Sequence, residues 1–258
     1  MESVRGQRVA RVDAPTLSRQ LAGYPHTLID IGTGDGRFVR HVAAAWPGYF
    51  AIGVDSCAAN LRERSRQTPP NALYLVASAH ALPPELARCA THLTINFPWG
   101  SLLAGLLDGD SAVLAQLTAV AGPGALLEVR LNGGALAEAG WALAPGMAQV
   151  QHGLARAGFV LRAPVSLGAD ALRACPTTWA HRLAFGRDPR ALYLRGTAPA
   201  GPRVVAARPD GARAPPGGRG SRPPLDSAGV VRHGLTQWTG PPRSVTGFRG
   251  RPGTVGQV

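Results

Sequence analysis

Lysine is absent from this 258-residue chain, and all 27 of its basic side chains are arginine. A uniform arginine bias of that kind tracks composition as much as function, so no single Arg identifies an anion site. Cysteine is scarce: Cys57, Cys89 and Cys175 are scattered, with no C-x-x-C spacing. That excludes a disulfide framework and a cysteine zinc site, expects no metal, and suits a reducing cytoplasm. Long apolar runs are missing too. The longest, around residues 112–127, is interrupted by Gln116 and by Gly122-Pro123-Gly124, too broken to span a membrane. The opening Met1-Glu2-Ser3-Val4-Arg5 lacks the apolar core of a secretory signal.

What is present divides the chain in two. Residues 199–258 carry 10 Pro and 12 Gly in 60 positions with no amphipathic period, the composition of a disordered tail. Residues 1–198 have ordinary apolar content and enough length for one domain. The formal charge of +12 splits into +5 for residues 1–198 and +7 for the tail. Such an excess favours polyanions, nucleic acid first.

Within 1–198, short apolar runs alternate with amphipathic stretches. Strands are expected at Leu28–Ile31, Tyr49–Asp55, Leu73–Ala77, Leu93–Asn96 and Ala125–Leu131, the last announced by a Gly122-Pro123-Gly124 turn. Helices are expected over Phe38–Trp46, from strand two through Arg66, and near Met147–Gly158. Strands at Phe159–Val165 and Ala191–Arg195, around a helix at Thr178–Phe185, predict an antiparallel pair at one sheet edge. Residues 1–25 form an N-terminal extension: a hairpin over Val4–Val12, then a helix capped by Asp13 and running to Leu21. The fold class is α/β, a mostly parallel seven-stranded sheet with helices on both faces.

Strand one runs into Asp30-Ile31-Gly32-Thr33-Gly34-Asp35-Gly36-Arg37. Glycines here let the backbone approach a ligand at a helix N-terminus. A dinucleotide fingerprint wants Gly or Ala where Arg37 stands, which argues against NAD. Asp55 closes strand two, 19 positions beyond Gly36, where a carboxylate can accept ribose hydroxyls. The set Asp30, Gly32, Thr33, Gly34, Gly36 and Asp55 resembles the S-adenosylmethionine site of class I methyltransferases. The resemblance implies that Ala79 and His80, after strand three, lie near the cofactor's adenine, although a lone His is more often a surface residue.

Strand four ends in Phe97-Pro98-Trp99-Gly100, and a second indole stands in Thr177-Thr178-Trp179-Ala180-His181-Arg182. With Ile-Asp-Ile-Gly-Thr-Gly-Asp-Gly at 29–36, these segments resemble the 16S rRNA adenine-N1 methyltransferases that confer aminoglycoside resistance. The resemblance covers about residues 4–198 and implies a target in the decoding site of the 30S subunit. It makes Trp99 and Trp179 a sandwich for a flipped-out adenine, with Phe97 and Pro98 shaping the acceptor turn. Ser101 and Thr177 then touch the cofactor's amino-acid end, and Arg182, Arg187, Arg190, Arg62 and Arg66 hold RNA phosphates. A monomer without membrane attachment is implied. Thr68-Pro69-Pro70 is brief where that family has a longer Lys-rich linker, the family has an acid where His80 stands, and it carries a basic residue near Pro189.

Three other functions use the same residues. Methylation of tRNA or another RNA base needs the same two indoles. A noncatalytic RNA-binding protein on a methyltransferase fold binds RNA but not the cofactor. A small-molecule methyltransferase fits less well with the charge and the paired indoles.

Overall fold

The computed structural model describes residues 1–184 and 189–200; the predicted tail, beyond its first two residues, and Arg187 lie outside them. The chain opens with a hairpin, β1 (Glu2–Arg5) and β2 (Arg8–Arg11), and α1 (Ala14–Leu21). Asp13 caps α1 by accepting the Thr16 N–H at 2.9 Å. Then β3 (His26–Ile31), α2 (Arg37–Ala45), β4 (Tyr49–Asp55), α3 (Ala58–Ser65) and β5 (Ala72–Val76) alternate. After a 3-10 turn at Pro84–Leu86 come β6 (Ala90–Asn96), α4 (Gly100–Asp108), α5 (Ser111–Val120) and β7 (Ala121–Asn132). Next are α6 (Gly133–Glu138), α7 (Leu143–Arg156), β8 (Val160–Leu161) and β9 (Val165–Leu167). The last elements are α8 (Ala169–Ala174), α9 (Thr178–Ala184) and β10 (Ala191–Thr197).

Among the described residues one sheet runs β2-β1-β5-β4-β3-β6-β7-β10-β8, with β9 also on β10. The centre, β5-β4-β3-β6-β7, is parallel, and β10 is antiparallel to β7, β8 and β9. The mixed α/β class is as expected, but three details differ. The hairpin joins the main sheet, Ser3 pairing with Leu75, so ten strands replace seven. The expected strand over Phe159–Val165 is split into β8 and β9 beside β10. The Gly122-Pro123-Gly124 segment lies inside β7, where the register against β6 shifts between Ala90 and His92.

The central strands are buried on both faces, which is why β4 reads as an unbroken apolar run. One face packs Ile29, Ile52, Leu93 and Leu127 against α4, α5 and α7. The other packs Leu28, Ala51 and Tyr74 against Phe38, Val39 and Val42 of α2. A third, smaller cluster joins Phe97 to Leu172 of α8 and Ala180 of α9. Among the described residues no single helix is long and apolar enough to cross a membrane.

Candidate active site

Strand order reverses about β3, whose neighbours β4 and β6 carry their connections to opposite sides. A crevice opens at the carboxyl ends of strands at such a switch point. Here it is a cleft of about 630 Å³, walled by the loops after β3, β4, β5 and β6 and by the start of α9. That volume suits a nucleoside-sized ligand.

The β3–α2 turn forms one wall. Gly36 has φ +74°, and a Cβ there would stand 2.4 Å from Tyr74 Cε1, so only glycine fits. Gly34, at φ +60°, has nothing within 4 Å of its Cβ position and leaves the turn open at the cleft. The Asp55 carboxylate braces this turn. Its Oδ2 accepts the Gly34 N–H at 2.8 Å, and its Oδ1 accepts the Cys57 N–H at 2.9 Å and Asn60 Nδ2 at 3.2 Å. A carboxylate offers about four acceptor sites. Those two bonds occupy Oδ1, and Oδ2 keeps one lone pair for a hydroxyl.

Asp30 lies deeper and is buried. Its Oδ1 accepts Thr94 Oγ1 at 2.7 Å and Asn96 Nδ2 at 2.9 Å, while Oδ2 has no partner. Burial pushes the carboxyl up to about 6, against the opposing pull of the Thr33 hydroxyl, of those two hydrogen bonds and of Arg130. The buried Thr33 hydroxyl lies beside this carboxyl on the same wall, close enough to favour the ionised carboxylate but short of full hydrogen-bond geometry. Unmet polar atoms facing a cavity call for a ligand with donors. An ammonium for Asp30 and a ribose for Asp55 are what S-adenosylmethionine offers, so these residues fit it.

Beneath the site a polar chain crosses the buried sheet. Asn96 Oδ1 accepts Arg130 Nη1 at 2.8 Å, Arg130 Nη2 donates to Glu128 Oε2 at 3.0 Å, and the Tyr193 hydroxyl donates to Glu128 Oε1 at 2.5 Å. His92 Nε2 is 3.7 Å from Glu128. Burial alone would raise the Glu128 carboxyl; His92, Arg130 and the Tyr193 hydroxyl overcome it and hold it far below the usual range.

The site departs from the expectations of the sequence in three places, two on the acceptor side and one on the cofactor side. The Trp99 and Trp179 rings stack directly on each other, centroids 5.0 Å apart and planes 28° off parallel. A base between them needs about 7 Å, two van der Waals gaps of ~3.5 Å each, so the sandwich is shut in this conformation. Trp179 is the exposed half at 38 %, while Trp99 Nε1 is buried without a partner. The Phe97 ring is taken up by packing, although the residue borders the cleft. It is 2 % exposed in the third core cluster, on a backbone at φ +52° that costs a non-glycine residue about 1–3 kcal/mol. His80 stands outside the cleft lining, with Nε2 3.4 Å from Asp110 Oδ2.

The cleft lining brings together Asp30, Gly32, Thr33, Gly34, Asp55, Ala79, Phe97, Pro98, Trp99, Ser101, Thr177, Trp179 and Arg182. Thr177 Oγ1 accepts the Ala180 N–H and starts α9, and Arg182 lies 5.2 Å from the Trp179 ring centroid. Gly36 sits behind the lining against Tyr74. Arg62 and Arg66 are exposed on and just after α3, outside the cleft, and exposed Arg190 precedes β10. The sequence reading passed over Asp35, Asn60, Asn96 and Thr178. A carboxylate inside the glycine turn and an Asn ending a buried strand were the available signals. Among the described residues no group of His, Cys, Asp and Glu could hold a metal.

Comparison with known proteins agrees with this geometry. The family profile described as NpmA, 16S rRNA (adenine(1408)-N(1))-methyltransferase, matches residues 2–198. A 16S rRNA (adenine(1408)-N(1))-methyltransferase of Streptoalloteichus hindustanus is 32% identical over 204 residues, covering 73% of this chain and 94% of the relative. The crystal structure of the 16S rRNA methyltransferase KamB superposes with a TM-score of 0.70 at 30% identity, over 77% of this chain and all of that one. The aminoglycoside resistance methyltransferase NpmB1 gives a TM-score of 0.64 at 31% identity, over 76% and 98%.

Proposed function

The chain belongs to the 16S rRNA (adenine(1408)-N(1))-methyltransferase family, and from that premise we propose how its residues act and on what form of the substrate. It is an S-adenosylmethionine-dependent enzyme that methylates N1 of an adenine in 16S rRNA. We place that adenine in the decoding site of the assembled 30S subunit, with the enzyme acting as a cytoplasmic monomer. The observation that carries the reading is the cleft itself, where a buried carboxylate with one unpartnered oxygen and two indoles share one sheet edge.

S-adenosylmethionine, when bound, supplies an electrophilic methyl group. Asp30 would hold its ammonium and Asp55 a ribose hydroxyl, and the open turn at Gly34 would let the backbone approach. Ser101 and Thr177 border the amino-acid end. The adenine N1 lone pair is itself the nucleophile, so the chain provides no general base. Its contribution is orientation and exclusion of water. Adenine inside a helix hides N1 and must be flipped out at a cost of a few kcal/mol. Stacking on Trp99 and Trp179, about 1–3 kcal/mol for each ring, offsets that cost once the indoles part. Their faces also favour the positive charge that methylation leaves on the ring. Arg182 at the rim, with Arg62, Arg66, Arg187 and Arg190, serves the phosphates.

Methylation at that position places a methyl group and positive charge on the pairing edge of the base. This repels polycationic drugs, so resistance to aminoglycosides follows. The test is transfer of labelled methyl to 30S subunits, naked 16S rRNA and tRNA, with primer extension on the product. The proposal expects label on 30S and a stop at one decoding-site adenine. Label on tRNA, or label without a stop, would overturn it.

A further inference from the structure

Thr178 Oγ1 donates to Asp35 Oδ2 at 2.7 Å, between residues 143 positions apart in sequence. Asp35 sits inside the glycine turn, flanked by Gly34 and Gly36. Its Oδ1 accepts the Arg37 N–H at 3.1 Å, at the start of α2, and Arg64 Nε of α3 is 3.7 Å from Oδ2. One carboxylate therefore gathers the cofactor turn, α2, α3 and α9. The residue after Thr178 is Trp179, the exposed half of the shut indole pair. Asp35 and Thr178 both line the cleft beside Asp30 and Asp55, but the Asp35 carboxylate is already engaged by Thr178 and the Arg37 N–H. A hydroxyl bonded to an ionised carboxylate is among the stronger hydrogen bonds. Across the cleft mouth it makes the position of α9 depend on the position of the glycine turn.

We propose that Asp35 and Thr178 are positioning residues that couple the two substrates. A cofactor in the cleft damps the residual motion of the braced glycine turn, the turn restrains the first residues of α9 through this bond, and Trp179 is thereby set to receive the adenine. Cofactor and rRNA then each tighten the binding of the other, because coupling between two sites is reciprocal. This rests on the functional reading above. Asp35 and Thr178 act through Trp179 and touch no reacting atom.

The experiment measures 30S affinity of the full chain with and without saturating S-adenosylhomocysteine. Wild type is expected to bind 30S about tenfold more tightly with it. Thr178→Val keeps the shape and removes the donor. It is expected to bind S-adenosylhomocysteine within about twofold of wild type by calorimetry, while its 30S affinity responds less than twofold. In steady state its KM for 30S rises with kcat little changed. Thr178→Ser restores both, which a purely steric role would not predict. If thermal melting shows that Thr178→Val is misfolded, Thr178→Ala is read in its place. Full coupling without the hydroxyl, no coupling in wild type, or a serine variant as defective as the valine one overturns the proposal. A wild-type chain that binds no S-adenosylhomocysteine overturns the functional reading and this coupling with it.

Discussion

The two halves of the cleft are built to opposite rules. On the cofactor side, β3, β4 and the glycine turn are braced by bonds that need no ligand: Asp55 to Gly34, Cys57 and Asn60, and Tyr74 Oη to the Gly36 carbonyl at 3.2 Å. On the acceptor side, a left-handed Phe97 and a small satellite core adjoin two indoles that occupy each other, Trp99 resting on the main core and Trp179 exposed. One half is ready for its ligand, and the other must open before it can act. A base that has to be pulled from a folded RNA suits a site that closes on itself when empty. An adenine offered in the right place displaces an existing stack, so part of the stacking gain is already spent on the indole pair.

Four substitutions would break or sharpen this contrast. The largest effect is expected under both halves. Arg130→Met leaves the buried Glu128 carboxylate with only the Tyr193 hydroxyl and His92 beside it, and should cost about 3–5 kcal/mol in denaturant unfolding, abolishing the difference between the sides. Phe97→Ala removes the anchor of the satellite core and should cost about 3 kcal/mol. Transfer to 30S should fall with it, and cofactor affinity by calorimetry should hold.

Asp30→Asn should divide stability from binding. The Asp30 carboxyl is raised from 3.8 to about 6 in the folded protein. Between those values the folded state holds the extra proton, so ionisation erodes stability as pH rises through the window. The erosion is complete above pH 6 and amounts to about 3 kcal/mol. The Asn variant should therefore melt higher than wild type at pH 7 and equally at pH 4. It should lose about a hundredfold in S-adenosylmethionine affinity. Wild-type affinity should itself weaken as pH falls below about 6, and a flat profile would remove Asp30 as the ammonium partner. The smallest effect belongs to the rim: Arg182→Ala should lower 30S affinity about fivefold and reduce the salt slope by about one.

How legible these halves were in the sequence follows the same divide. The cofactor side is local: a strand, a glycine turn, a helix and an acid at the next strand end are written within Leu28–Asp55, so periodicity and spacing reveal them. The acceptor side is assembled from residues some eighty positions apart. Two tryptophans in turns announce aromatic binding, but nothing in the sequence says that their rings meet each other. Phe97 reads as part of an aromatic acceptor turn until the cluster of Leu172 and Ala180 claims it. Helices α4 and α5 carry alanine on their exposed faces, at Ala104, Ala112, Ala115 and Ala119, so the polar–apolar contrast that marks an amphipathic period is weak there. The Glu128–Arg130 pair sits in a strand buried on both faces, where alternation carries no warning of a buried ion pair.

A ready cofactor half thus serves an acceptor half made of two indoles. The most direct measurement pairs two readouts on the double variant Trp99→Ala/Trp179→Ala: S-adenosylmethionine binding by calorimetry, and primer extension on 30S subunits after incubation. The account predicts cofactor affinity within about twofold of wild type and no stop at the decoding-site adenine. Loss of cofactor binding with the indoles, or a stop at wild-type intensity without them, would contradict it.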